Sequence, residues 1–324
     1  MAASLGVLCA PAFADSMDAT ASNSQAQAST EPQAAIVEPA PTVQIDSSAP
    51  YEEKPAGSDK LLLTGGVSQV EGSAGGGITP WAVIGGYGTR DQIGANAFYT
   101  RINLNDYHLD DAGVLVGFYD RVELSYSQQR FNTEDVGAAL GLGRGFTFRQ
   151  DTLGVKLKLA GDAVLDQDTW MPQISIGIQY KRNDEGSVHG LLKAIGAKSA
   201  SGTDFYVSAT KLFLGQSLLL SGTLRLTKAN QIGILGFGGD RNNSYKAEFE
   251  GSIAYLLSRN VAIGAEYRMK PNNLGIAKEN DWIDAFIAWA PTKNVSVTLA
   301  YADLGNIVIK DNQRGLYVSL QAGF

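Results

Sequence analysis

In the stretch QISIGIQYK, residues 173–181, large apolar residues alternate with small or polar ones. A period of two puts Ile174, Ile176, Ile178 and Tyr180 on one face of a strand, with Gln173, Ser175, Gln179 and Lys181 on the other. The pattern recurs at 152–160, where Leu153, Val155, Leu157 and Leu159 oppose Lys156 and Lys158. At 218–227 four leucines oppose Ser221, Thr223 and Arg225. At 245–255 Tyr245, Phe249, Ile253 and Tyr255 oppose Lys246, Glu248, Glu250 and Ser252. Residues 261–270 set Val261, Ile263 and Tyr267 against Glu266, Arg268 and Lys270, and 295–301 repeat the theme.

Alternation alone fits a soluble sandwich, with its apolar face inside, or a membrane barrel, with that face turned to lipid. Three features favour the barrel. The polar faces carry charge of both signs and the apolar faces almost none. Aromatics (Trp170, Tyr180, Tyr255, Tyr267, Trp289, Tyr301, Phe324) gather toward strand ends, as in interfacial girdles. The connections also alternate in length. Short links near 88–92, 119–121, 215–216, 258–260 and 291–294, with a middling one at 161–168, interleave with long ones near 105–112, 131–145, 183–201, 230–243, 271–280 and 304–313. Short periplasmic turns and long external loops are the rule for outer-membrane barrels. No run approaches the length of a helical membrane span.

Strand number follows from parity. Counting back from the last strand gives thirteen from about Ile78, which would start the barrel outside the cell. A periplasmic N-terminal tail requires one more strand, for which 61–70 is available, followed by a loop at 71–77. The expectation is an all-β, transmembrane, antiparallel up-and-down β-barrel of fourteen strands over 60–324, with twelve as the alternative. Residues 315–324 (GLYVSLQAGF) close it, and Gly315, Leu316, Val318, Leu320 and Phe324 resemble the C-terminal signal read by the barrel-insertion machinery of Gram-negative outer membranes.

The leading segment differs in texture. Residues 1–59 hold eight acids and one base, whereas 60–324 hold 25 of each, so the net charge of −7 belongs to the leader. The run LGVLCAPAFA contains the sole cysteine, Cys9, and ends in a small-x-small pattern; 1–14 therefore read as a signal peptide, although no Lys or Arg precedes the apolar run. Residues 15–59, rich in Ala, Ser and Pro, bury too little surface to offset their ordering entropy and read as a disordered acidic periplasmic tail. The balanced body offers no basic patch for nucleic acid.

The body also resembles a family of uncharacterised proteobacterial outer-membrane β-barrel proteins, a domain of unknown function. The matching stretches are LLLTGGVSQVEG (61–72), GGGITPWAVIGGYGTRDQIGANAFYTR (75–101), GLGRGFTF (141–148), TDFYVSATKLFL (203–214), AYLLSRNVAIGAEYRMKPNNLG (254–275) and the C-terminus. The resemblance implies fold and outer-membrane location, and brings no reaction, ligand or cofactor.

Candidate chemistry is sparse. The glycine-rich pieces at 72–77, 141–146 and 233–240 lack the strand-loop-helix setting and the Lys-Ser/Thr ending of a phosphate cradle, and read as tight turns in external loops. His108, beside Asp106, Asp110 and Asp111, and His189 fall in expected external loops. A carboxylate loop there is a weaker alternative to a solvated one. No catalytic residues, metal site or cofactor are expected. HGLLKAIGAK (189–198) reads as a short helix that dips into the barrel mouth or, as favoured here, packs over its rim. The constellation with a mechanism is the set of inward charges: Glu123, Lys156, Lys158, Lys181, Arg225, Lys246, Glu248, Glu250, Glu266, Arg268, Lys270 and Asp284. Segregated, they would line a water-filled pore for small polar solutes; interdigitated, they would pair and close the lumen. Three functions follow as expectations: a passive channel or transporter, a non-transporting adaptor that binds a partner through tail or loops, and an uptake barrel for hydrophobic compounds. The last would need an N-terminal plug and an apolar pocket.

Overall fold

Alternating strands with one apolar and one polar face close on themselves in a computed structural model of the chain, which describes residues 60–184 and 187–324. The expected signal peptide and acidic tail lie outside the described residues. Two short strands come first, β1 (Val67–Ser68) and β2 (Ala74–Gly75), paired with each other and not with the wall. The barrel strands are β3 (Ile93–Asn103), β4 (His108–Phe118), β5 (Val122–Asn132), β6 (Thr147–Ala160), β7 (Gln173–Asn183) and β8 (Ser201–Phe213). They continue as β9 (Leu218–Thr227), β10 (Lys246–Ser258), β11 (Val261–Arg268), β12 (Trp282–Thr292), β13 (Val295–Asp303) and β14 (Arg314–Gly323).

Each barrel strand pairs antiparallel with the next, and β14 closes onto β3 from Leu316↔Asn103 to Gly323↔Asn96. The backbone of Phe324 continues that closure: its carbonyl accepts from Ala95 N at 3.0 Å and from Tyr87 N at 3.1 Å. Among the described residues the barrel therefore has twelve strands, the alternative count. The two segments read as additional strands, 61–70 and the stretch from Ile78 to the turn at 88–92, do not join the wall. They run inside it. The turns meet the twist of the wall; Tyr119 and Asp120 between β4 and β5 both take positive φ (54° and 48°), as tight antiparallel hairpins favour.

The period-two pattern sorts cleanly across the wall. Outward positions such as Leu153, Val155, Ile176, Ile178, Leu220, Leu224, Ile253, Ile287 and Leu299 are exposed, a contiguous apolar exterior that water would not tolerate and acyl chains would. Tyr180, Tyr267 and Tyr301 rim it toward the long loops, and Tyr255, Trp289 and Phe324 toward the short turns. The buried core lies within the barrel. One cluster, toward the long loops, gathers Ile102, Phe131, Ile232, Leu235 and Tyr317; a second gathers Ala74, Trp81, Val83, Leu115, Leu212 and Leu219.

Replacing an outward residue halfway along a strand with a charge should be costly in proportion to its depth. Val155→Arg is expected to destabilise the folded barrel by about 2–4 kcal/mol. Urea titration of folding into phospholipid bilayers measures this, and unchanged stability would contradict the lipid-facing assignment.

Candidate functional site: a lumen filled from both ends

Residues 64–86 enter the barrel at the short-turn end, rise, turn around Glu71 and descend to join β3. Lys60 marks the entrance, paired with Asp120 at 2.9 Å and donating to the carbonyls of Ile84 (2.8 Å) and Gly86 (3.3 Å), so the two limbs of the plug meet there. Beyond a two-residue ladder and a few turn bonds such as Val70 N to Gly77 O (3.1 Å) and Gly76 N to Thr79 O (2.9 Å), this plug leaves backbone groups without an internal partner, and buried groups of that kind need one. Wall side chains provide it. Ser68 N donates to Gln321 Oε1 (2.7 Å), and the Gln129 amide donates to Val70 O. Thr210 accepts from Ala82 N (2.8 Å), and Gln173 and Ser175 donate to Ala82 O.

Three buried carboxylates anchor the plug, one of its own and two from the wall. Glu71, fully buried at the plug's apex, pairs with Lys181 on β7, with Arg268 on β11 (2.9 Å) and with Arg225 on β9 (3.4 Å). The same cations share Asp204 and Glu250 of the wall, so Glu71 completes a network spanning five strands. Glu123 on β5 accepts from the plug amides Ala74 N (3.0 Å) and Gly85 N (2.8 Å) and pairs with Lys156 at 3.2 Å. Lys156 in turn donates to Ala74 O (2.8 Å) and Val83 O (2.9 Å). Glu266 on β11 accepts from Ile78 N (2.9 Å), Thr79 Oγ1 and Ser252 Oγ (2.7 Å).

The plug's glycines are dictated by this fit. A Cβ on Gly76 would lie 1.9 Å from Glu266 Oε1, and Gly72 turns at φ +91°. The GSAGGG run expected in an external loop is thus the apex of a plug packed against the wall.

From the opposite end, a loop descends to meet it. Residues 230–233 turn through a single helical kink in which Gln231 and Ile232 hold positive φ (44° and 57°), a conformation costing about 1–2 kcal/mol per residue outside glycine. The turn is held by side chains: Glu279 accepts from Gln231 N (3.1 and 3.0 Å), Lys270 donates to Gln231 Oε1 (2.8 Å), and Asn183 donates to Gly233 O (2.7 Å). Burial pushes the Glu279 carboxyl above and the Lys270 ammonium below its ordinary range, each shift partly offset by the other's charge. Lys181 links the two fillers: it pairs with Glu71 below and donates to Ile232 O above at 3.2 Å. Around Trp81 and Phe286 the space left between plug and wall is about 30 Å³, room for one or two waters.

The inward charges fall where their parity puts them, with adjustments. Glu123, Lys156, Lys181, Arg225, Glu250, Glu266, Arg268 and Asp284 are buried in the lumen, with Glu248 and Lys270 buried nearer the long-loop end. Lys158 sits at the short-turn end on Asp120 (2.6 Å) and Asp162 (3.4 Å), while Lys246 is exposed at the opposite rim. The set interdigitates, the arrangement expected to close the lumen. Sequence reasoning missed Glu71, Asp204 and Glu279; for the plug that carries Glu71 the available signal was Pro80, since a proline inside an expected central strand argues against a strand.

His108 opens β4 instead of lying in a loop, and bonds to Glu134 at 2.6 Å. Of its acidic neighbours, Asp110 stays beside it (3.6 Å from Nε2) while also pairing with Arg101 (2.9 Å), whereas Asp106 pairs with Lys310 (2.7 Å) and Asp111 points into the lumen. Among the described residues no cluster of His, Cys, Asp or Glu is arranged for a metal. His189 lies on a helix, α1 (Ser187–Ala194), which starts earlier and ends sooner than the expected 189–198 and buries Val188 and Leu192 in the long-loop cluster; the segment that enters the mouth is 230–237.

These features define a membrane-spanning barrel of the outer-membrane class with a lumen occupied by its own chain. The protein belongs to the DUF3034 family, described as proteins of unknown function, which it matches over residues 64–321. No curated protein matches it. Among solved structures it is similar to the KdgM porin (11% identity, 71% of this chain and 99% of that one, TM-score 0.44). It is also similar to the NanC porin (10%, 72% and 98%, TM-score 0.43) and to outer membrane phospholipase A from Escherichia coli (13%, 70% and 92%, TM-score 0.40). Likenesses at this level decide nothing about function.

Lys156 is the clearest test of how the plug is held. Lys156→Met leaves Glu123 and two plug carbonyls short of a partner, and breaking a buried pair from one side costs about 3–5 kcal/mol. Hydrogen–deuterium exchange should show the amides of 74–85 exchanging at least a hundredfold faster while β9–β13 stay protected. Uniform acceleration of both would mean that plug and wall unfold together.

Proposed function

We propose that this protein is a gated outer-membrane transporter for small polar solutes, in which the 64–86 hairpin is the movable element. Its long loops face the exterior and its N-terminal tail the periplasm. The observation that carries this reading is the chemistry of the plug–wall contact. The fixed points are ion pairs and side-chain hydrogen bonds centred on Glu71, Glu123 and Glu266. A permanent filler needs its backbone groups satisfied but gains little from the further ion pairs around Glu71, because apolar residues of equal volume are often as stabilising as buried ion pairs or more so. Charged groups that water can rehydrate suit a lumen that is wet for part of its cycle. When the plug leaves, Lys181, Arg225 and Arg268 keep Asp204 and Glu250 as partners, so the vacated wall remains largely neutralised.

Uptake of hydrophobic compounds is less well supported. The plug it requires is present, formed by 64–86, but the apolar space beside Trp81 holds no more than a water or two.

Single-channel recording in planar bilayers tests the gate. The wild-type chain should be closed with brief openings, and Glu71→Gln should raise the open probability about tenfold. Ser68→Cys with Gln321→Cys, placed where Ser68 N meets the Gln321 side chain, should silence the channel when oxidised and restore it on reduction. Silence in wild type, Glu71→Gln and the reduced double variant alike would sink the proposal and leave the adaptor reading.

A further inference from the structure

At the long-loop rim the outward columns of the wall pass from aliphatic residues to tyrosine and then to charge. Tyr99 is followed by Arg101, Tyr180 by Arg182, and Tyr126 by Gln128 and Arg130. Where strands meet there, opposite signs face each other: Arg101 pairs with Asp110 at 2.9 Å, and Arg314 with Asp303 at 2.7 Å. One position breaks the rule. Arg130 of β5 lies directly opposite Arg149 of β6, both exposed on the outer face. Like charges opposed in this way destabilise a sheet.

The neighbours do not relieve it. Asp151, the next outward acid on β6, is taken by Tyr126 Oη (2.8 Å) and Gln128 Nε2 (3.2 Å). Gln128 also accepts from Arg130 Nη2 (3.0 Å), which orients that guanidinium but supplies no negative charge. Asp184 shares this rim, joined to Arg149 through its backbone N–H (3.0 Å). Among the described residues no hydrogen bond or ion pair engages the Arg149 guanidinium. Arg182 stands opposite Asp151 across the β6–β7 pairing.

We infer that Arg130 and Arg149 bind a phosphate of an outer-leaflet lipid. Directly opposed residues have Cβ atoms about 5 Å apart, a spacing at which two guanidinium forks can straddle one phosphate. The source of that phosphate follows from position. The pair stands on the outer wall, two outward positions beyond Tyr126 and Leu153, which face acyl chains. An anion seated there lies at the headgroup level of a lipid packed against the barrel. The proposal is independent of whether the plug moves.

The test uses the full chain in detergent and native mass spectrometry, with diphosphoryl lipid A and its phosphate-free counterpart as probes. The wild type should retain the diphosphoryl form at least tenfold better. Arg130→Gln with Arg149→Gln should reduce retention to the phosphate-free level, Arg130→Lys with Arg149→Lys should keep part of it, and Arg259→Gln at the short-turn end should change nothing. Equal retention of the two lipids by the wild type overturns the inference without any variant. So does undiminished retention by a folded double-glutamine variant.

Discussion

A peptide segment enclosed by a closed barrel can neither join the sheet, whose ladder is complete, nor reach bulk water. Those of its N–H and C=O groups that its own turns do not pair must find a side chain. That constraint accounts for the inner face of this wall. Gln129, Gln173, Ser175, Thr210 and Gln321 line the lumen as the hydrogen-bonding partners of residues 68–82. The polar side of a period-two pattern, which in an open pore would face water, here faces another stretch of the same chain.

Charge enters for the same reason, at larger stakes. A carboxylate can accept several backbone amides at once, and Glu123 holds the two limbs of the plug by accepting from Ala74 and Gly85. A buried carboxylate then needs a cation, and Lys156 meets Glu123 while donating its remaining protons to plug carbonyls. Glu71 reverses the arrangement, carrying the anion on the plug and leaving the cations on the wall. Because Lys181 also donates to Ile232 O, the plug and the mouth loop meet at one ammonium group, and displacement of either alters the electrostatic setting of the other.

What the sequence revealed and what it hid follow from the same geometry. Parity is local, so the lumen-facing side of Lys156, Lys181, Arg225, Glu250 and Glu266 was legible from one strand at a time. Closure and the twelve-strand wall needed the plug to be recognised, and its signals are non-local. The residues at 61–70 and beyond Ile78 alternate weakly and are rich enough in apolar side chains to pass for strands, yet their partners are wall side chains as distant as Gln321 and Arg268. Glycine density at 72–77 looked like turning, when Gly76 is small because the Glu266 carboxylate occupies the space beside it. The mouth loop was hidden for a similar reason: nothing within 230–237 announces that Lys270 and Glu279, some forty residues on, will hold Gln231 in a left-handed conformation.

The filling of this lumen from both ends also bears on how it would open. The two fillers differ in what retains them. The mouth loop carries two non-glycine residues at positive φ, a strain that favours release once Glu279 and Lys270 let go. The plug, apart from its apolar contacts, is retained by ion pairs whose wall members already have alternative partners in Asp204 and Glu250. Neither retention depends on the barrel wall changing shape. On the proposed gating, the 64–86 hairpin would move and the 230–237 loop would have to yield with it, while the hydrogen-bonded cylinder, closed by β14 against β3, would stay fixed in the lipid around them.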